Sequence, residues 1–419
     1  MYAGIDQLTG KKLFLRQTVT ARPTRRETER EAEKVLTRLL NQVDERRSPR
    51  TEATVNELLD RWLEVIDVER TTRAGYVGKI EKHIRPTIGR LQVGRVEVET
   101  IETLYARLRR CRDHCRGQAF VQHRTAGEHV CDEHSARRRC AKATGSPDAP
   151  CRYCDRACRP HQCTPLAAGS IRVVHAILSG TFQRAVRWGW ITVNPIEQTE
   201  PPSTPRPNPD PPTSDQASLI VNEAWKDPAW GLFVWMTLTT GARRGEMCNL
   251  RWNRLDLTNG VVVFRRSAAQ IGGQIWEKDV KNHQDRRVTL DEHLVELLRS
   301  HRARCERDAA ALDTTVQRDG FVFSPVPDCS ERTKPDTVTQ RYGRLAKRLG
   351  IDTHLHCLRH YSATELIAAG VDVRTVAGRL GHAGGGSTTL RIYTAFVAEA
   401  DQRAATKLAA RRPLPPVAI

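Results

Sequence analysis

Apolar positions along the chain recur at three- and four-residue steps far more often than they alternate, which predicts a mainly helical protein. From about Thr28 to Val43, Ala32, Val35, Leu36, Leu39, Leu40 and Val43 form one stripe, with Arg and Glu opposite. A second stripe, Val55, Leu58, Leu59, Trp62, Leu63 and Ile66, opens on Thr54-Val55-Asn56-Glu57, where the Thr hydroxyl and Glu carboxylate can satisfy amides at a helix start. Further amphipathic stretches cover Tyr76 to Ile84, Glu99 to Leu108 and Gly169 to Trp188. Strand signals are few. Residues 1–20 read as short strands around Leu8-Thr9-Gly10, with Gly10 supplying the positive φ of a turn, and Val261–Phe264 and Arg287–Leu290 read as a later pair. The fold class expected is mainly α with small β-sheets, α+β.

Two breaks in this pattern partition the chain. Residues 111–163 lose apolar periodicity and hold eight of the twelve cysteines, which marks an insertion within a helical region. Residues 199–213 (TEPPSTPRPNPDPPT) contain seven prolines and predict a stiff, extended connector. A chain of 419 residues exceeds what one core usually supports. The expected layout is therefore a sheet-plus-helix unit over 1–50, a helical domain over 51–198, the linker 199–213, a mixed domain over 214–400 and a tail over 401–419.

Charge then narrows the partner. Sixty-seven Lys plus Arg face 49 Asp plus Glu, a formal net charge of +18. Such an excess predicts a polyanion, nucleic acid before an anionic membrane. The sequence has no apolar run of about 18 residues, no signal-peptide core and no lipidation motif, so a cytoplasmic protein without membrane association is expected.

Four motifs in the mixed domain carry candidate chemistry. They are Thr240-Gly241-Ala242-Arg243-Arg244-Gly245-Glu246, Lys281-Asn282-His283-Gln284-Asp285-Arg286-Arg287-Val288, His356-Cys357-Leu358-Arg359-His360, and Leu380-Gly381-His382 with Tyr393 eleven residues beyond the histidine. Each alone is weak, since an arginine near a turn is usually solvated and a tyrosine beside Leu390 and Ile392 is usually core. Together, in this order, they resemble the catalytic domain of the tyrosine recombinases, the family of phage integrases and Xer-type recombinases. The resemblance implies catalytic roles for Arg243, Lys281, His356, Arg359 and His382, with Tyr393 as nucleophile. The chemistry agrees: two guanidiniums suit the charge that gathers on a phosphodiester under attack, and an imidazole suits removal of a tyrosine proton whose pKa is about 10. Lys281 would protonate the departing 5′-oxygen, with Lys278 as fallback. Glu246 reads as a partner of an arginine, and Tyr361, beside the Arg359 motif, as structural.

The same resemblance extends to the other domains. Lys82-His83-Ile84-Arg85-Pro86-Thr87-Ile88-Gly89 is similar to a core-binding domain, and Gly4-Ile5-Asp6 with Leu8-Thr9-Gly10-Lys11-Lys12 to an arm-type DNA-binding domain. It implies integration or excision of a mobile element through a 3′-phosphotyrosyl intermediate, without ATP or catalytic metal. It also implies double-stranded attachment-site DNA as partner, a clamp of two domains around it, a tetramer on DNA to which the tail contributes, and accessory factors. Within the insertion, Cys111 and Cys115, Cys131 and His134, Cys151 and Cys154, and His161 and Cys163 form close pairs of soft ligands that suit structural zinc. A type IB topoisomerase would share the tyrosine and arginines but needs no arm-binding unit. A non-catalytic zinc-containing DNA-binding regulator would leave the six-residue constellation unexplained.

Overall fold

A computed structural model divides the chain into two compact units, Met1–Pro205 and Arg206–Ile419. The structure describes residues 2–5, 12–14, 16–21, 23–44, 51–122, 159–204, 210–280, 285–382 and 389. Among these, no helix is long and apolar enough to cross a membrane.

In the first unit β1 (Tyr2–Ile5) pairs antiparallel with β2 (Lys12–Phe14), and α1 spans Arg25–Asp44. Gly10 lies outside the described residues. The expected capping box is present at α2 (Val55–Val65): the Glu57 amide donates to the Thr54 hydroxyl at 3.3 Å, and the Thr54 amide to the Glu57 carboxylate at 2.6 Å. Val55, Leu58, Leu59, Trp62 and Leu63 are buried, so trimming Leu58 to Ala should cost about 2–5 kcal/mol. A continuous rod follows, from α3 (Arg70–Lys79) through a π-helical turn (Ile80–Ile84) to α4 (Arg85–Ile88). Pro86 accounts for the irregularity, because it offers no amide to the Lys82 carbonyl and its ring crowds it. His114 takes up that carbonyl through Nε2 at 3.1 Å. α5 (Val98–Arg110) and α6 (Ala168–Arg187) complete the core with Ile101, Leu104, Leu108, Val174, Leu178 and Phe182. Between them β3 (Val121–Gln122) pairs antiparallel with β4 (Arg159–Pro160).

The second unit is built around α8. After α7 (Ser214–Ala224), α8 (Pro228–Thr240) starts where the Asp227 carboxylate accepts from the amides of Ala229 and Trp230 at 3.0 and 3.1 Å. Its sequence is apolar nearly all round, as a buried helix requires, and Trp230, Leu232, Phe233, Val234 and Met236 are in the core. α9 (Arg244–Cys248) leads to a three-stranded antiparallel sheet in which β6 (Val261–Phe264) lies between β5 (Leu255–Asp256) and β9 (Arg286–Thr289). The later strand thus begins one residue before the stretch read from sequence. Between β6 and β9 sits a hairpin, β7 (Arg266–Ile271) and β8 (Gln274–Asp279), whose mixed polar sequence carries no clear alternation. Among the described residues four named helices follow: α10 (Glu292–Ala310), α11 (Pro335–Leu349), α12 (Leu355–Ala368) and α13 (Val373–Leu380).

Candidate active site

The Thr240–Glu246 motif is a stop and restart between two helices. Gly241 ends α8 at φ 61°, a conformation costly for any residue with a Cβ, and its amide donates to the Thr237 carbonyl at 3.0 Å. Arg243 then stands at the N-cap of α9, and Glu246 reaches back to accept from its amide at 2.9 Å. The same carboxylate accepts from the Arg243 guanidinium at 2.8 Å and from the Arg286 guanidinium. Burial alone would push the Glu246 carboxyl up, but Arg286 and Arg243 hold it below the usual carboxylate range. One buried anion therefore fixes two arginines from different elements.

The other end of the site is the last turn of α13, where every carbonyl left over by the helix has a donor. Gly381, at φ 67°, allows a Schellman ending: its amide donates to the Gly378 carbonyl at 3.1 Å, and the His382 amide to the Ala377 carbonyl at 2.9 Å. The next three carbonyls accept from three different arginines. Arg286 on β9 donates to the Arg379 carbonyl at 2.5 Å, Arg359 on α12 to the Leu380 carbonyl at 2.6 Å, and Arg243 to the Gly381 carbonyl at 3.2 Å. Arg359 also donates to the Gly241 carbonyl, joining both glycine turns. Arg243 is 28% exposed, whereas Arg286 and Arg359 are 5% and 2% exposed. Arg243 is thus the guanidinium most open to a ligand.

The histidines lie within this positive field. His382 follows the turn directly, and its Nδ1 is 2.8 Å from the Thr389 hydroxyl. Burial first, then Arg359, Arg243 and Arg286, bring its pKa down to about 4. His356, one turn before His360 on α12, stacks edge-on against it with ring centroids 4.8 Å apart. The residue reaches solvent, yet its ring is crowded; desolvation, then His360, Arg359, His354 and Arg243, lower its pKa to about 4 as well. Both imidazoles are neutral at pH 7. The arrangement offers an anion a fixed cationic floor with two uncharged proton acceptors beside it.

Comparison with known proteins places this site within a recognisable domain. A profile of the phage integrase family matches residues 213–399, covering this whole site. Over residues 213–399, the chain is similar to the phage integrase family. Relatives include the tyrosine recombinase XerC of Xanthomonas axonopodis pv. citri, 30% identical over 49% of this chain and 60% of its own. Among solved structures, the Tn1549 transposon integrase in complex with transposon right end DNA superposes with a TM-score of 0.60 at 16% identity, covering 85% of this chain and 100% of its own. A lambda integrase tetramer bound to a Holliday junction gives 0.54 at 17% identity, over 94% and 93%. These likenesses show a shared fold. The chain spans between 55% and 62% of the length of three of the curated relatives it matches.

Within the second unit the structure brings together Arg243, Arg359, His356 and His382 of the residues expected from sequence. Lys281 and Tyr393 lie outside the described residues. Lys278, the fallback for Lys281, is on β8 opposite Ser267. The Tyr361 hydroxyl lies 3.4 Å from the Ser214 hydroxyl. Sequence reading missed Arg286, which holds Glu246 and the Arg379 carbonyl and stacks on Phe264 at 4.3 Å. Its signal was the strand period: Arg286 and Val288 face inward, Arg287 and Thr289 outward. Arg379, whose guanidinium donates to the carbonyls of Thr289 and Thr239 at 3.1 Å each, was also missed. In the first unit Cys111, Cys115, His161 and Cys163 converge, while Cys131, His134, Cys151 and Cys154 lie outside the described residues.

Proposed function

We propose that the chain is a site-specific DNA recombinase that integrates or excises a mobile element. The Tyr393 oxygen attacks the scissile phosphorus, the bond to the 5′-oxygen breaks, and a 3′-phosphotyrosyl link conserves the bond energy for rejoining without ATP. Arg243 and Arg359 hold the non-bridging oxygens, His356 accepts the tyrosine proton with His382 positioning the phosphate, and Lys281 protonates the departing 5′-oxygen. The convergence of Arg243, Arg359 and His382 on one helix end, beside a neutral His356, carries this reading. The DNA complexes of similarly folded integrases support double-stranded DNA as partner, and the lambda tetramer supports assembly as four protomers on it. Residues 1–50 and 51–198 would serve as arm-binding and core-binding domains, and the metal of the insertion would be structural zinc.

The test mixes purified protein with DNA flanking its own gene and looks for a denaturation-resistant protein–DNA adduct, followed by assay of joined products. Wild type should form the adduct and exchange strands, and Tyr393→Phe should form none. An adduct in Tyr393→Phe would move the nucleophile, and relaxation of supercoils without exchange would make the protein a topoisomerase.

A further inference from the structure

The insertion leaves the first unit through two arms that run side by side. Backbone bonds join them rung by rung: the Leu166 amide to the Leu108 carbonyl at 2.9 Å, Arg112 to Thr164 at 2.8 Å and His161 to Phe120 at 2.8 Å, ending in the β3–β4 pair. Four soft ligands from the two arms face one another across these rungs. The Cys111 and Cys163 sulfurs lie 3.2 and 3.6 Å from His161 Nε2, the Cys115 and Cys163 sulfurs are 3.4 Å apart, and all four ligand atoms lie within 4.8 Å of one another. A tetrahedron with Zn–S bonds of about 2.3 Å has sulfur–sulfur edges of about 3.8 Å, close to this spacing. A disulfide needs about 2.05 Å, well inside it.

The surroundings are those of a metal centre. Cys115 is flanked by His114 and Arg116 at φ 56° and 53°, followed by Gly117 at 84°, a tight knuckle that few non-glycine residues adopt. The Asp113 amide points at the Cys111 sulfur from 3.4 Å, as a donor to a thiolate would. His161 is set with Nε2 toward the sulfurs, while its Nδ1 faces the Gln122 side-chain amide at 2.9 Å and the Asp113 carboxylate at 3.8 Å, partners that fix its orientation. Phe120 stacks on the ring at 4.3 Å.

We infer that Cys111, Cys115, His161 and Cys163 hold one zinc ion that clasps the neck of the insertion and owes nothing to the cysteines beyond it. The inference rests on the structural-zinc reading above and sharpens it to one site. Three thiolates and one imidazole fill a tetrahedral coordination sphere and leave no position for substrate, so the ion is structural. Binding releases the three thiol protons. The knuckle carries the clasp to the rod below, because His114 within it holds the Lys82 carbonyl, to which Pro86 offers no amide.

Metal content of the full-length protein, purified in reductant and passed over a weak chelator, tests this. Wild type should retain zinc. Cys111→Ser and Cys163→Ser should each lose one equivalent per chain, and the double variant Cys151→Ser/Cys154→Ser should keep that equivalent. His161→Cys should bind as wild type does, and cobalt(II) added to the stripped wild-type protein should give the visible spectrum of a tetrahedral thiolate site. Zinc kept in Cys111→Ser and lost in Cys151→Ser/Cys154→Ser would overturn the neck site while leaving a zinc protein. Absence of zinc from a reduced, folded wild type would overturn both readings.

Discussion

Replacing Glu246 with Gln removes the one negative charge that serves Arg243 and Arg286 while keeping the shape. Glu246 and Arg286 are 2% and 5% exposed, so neither can turn to water for compensation. Removing one partner of a buried ion pair typically costs about 3–5 kcal/mol, most of it from the charge left behind. Here two guanidiniums are left, and the upper half of that range is expected at pH 7. Because 1.4 kcal/mol is about a factor of ten, amides of α8 and α9 should exchange with deuterium roughly 700-fold to 4,000-fold faster when read through global opening. Exchange followed by peptide mass spectrometry over 228–248 reads the second unit apart from the first. A cycle with Arg286→Gln should show coupling of about 1–3 kcal/mol, the double variant being less damaged than the sum. Acid should narrow the gap. The Glu246 carboxyl is held below its unfolded value, so its contribution is complete above that value and is lost as pH falls through the folded one, a loss Glu246→Gln cannot suffer. A cost under about 1 kcal/mol at pH 7, or strict additivity with Arg286→Gln, would refute the view that this carboxylate organises the site.

Three further outcomes follow from the same geometry. Gly241→Ala should destabilise the second unit by more than the roughly 1–2 kcal/mol of a left-handed backbone, since its Cβ would run into the buried Leu380 side chain; a change within about 0.5 kcal/mol in urea unfolding, roughly the scatter of a neutral substitution, would show that the turn does not need glycine. Arg359→Lys should abolish adduct formation, because one ammonium cannot span the Gly241 and Leu380 carbonyls and a phosphate together; near-normal adduct would remove Arg359 from the site. His356 and His382 sit near pKa 4 against about 6.5 unfolded, so the unfolded chain binds more protons between those values and stability should be complete above pH 6.5 and decline toward pH 4. Replacing both histidines by Gln should flatten that slope in a pH series of thermal unfolding, and an unchanged slope would place the titration elsewhere.

The helices were legible because their stripes and caps are local: Thr54 and Glu57 announce α2, and the amphipathic stretch from Gly169 to Trp188 announces α6. The β7–β8 hairpin was not, since its exposed, half-buried and buried positions follow no two-residue period. In the site, Arg243, Arg359 and His382 could be named from motif order, but the reason they meet could not. They meet through backbone carbonyls of residues 379–381 that carry no side-chain signature. Arg286 hid for a related reason, because an arginine facing inward contradicts the usual rule and becomes sensible only once buried Glu246 is seen across from it. In the insertion, ligand spacing suggested four pairs, and among the described residues folding brings two of them, Cys111 with Cys115 and His161 with Cys163, together.

The paired arms at the root of the insertion also bear on how such a chain can change. With Gln122 and Arg159 already side by side, the ends of the 36-residue segment between them are held by the domain itself. In polymer terms the cost of closing a loop grows only with the logarithm of its length, about 0.6 kcal/mol for each doubling. The neck is therefore a graft point, where segments of different length and composition can be exchanged by recombination or by design while α5 and α6 keep their packing.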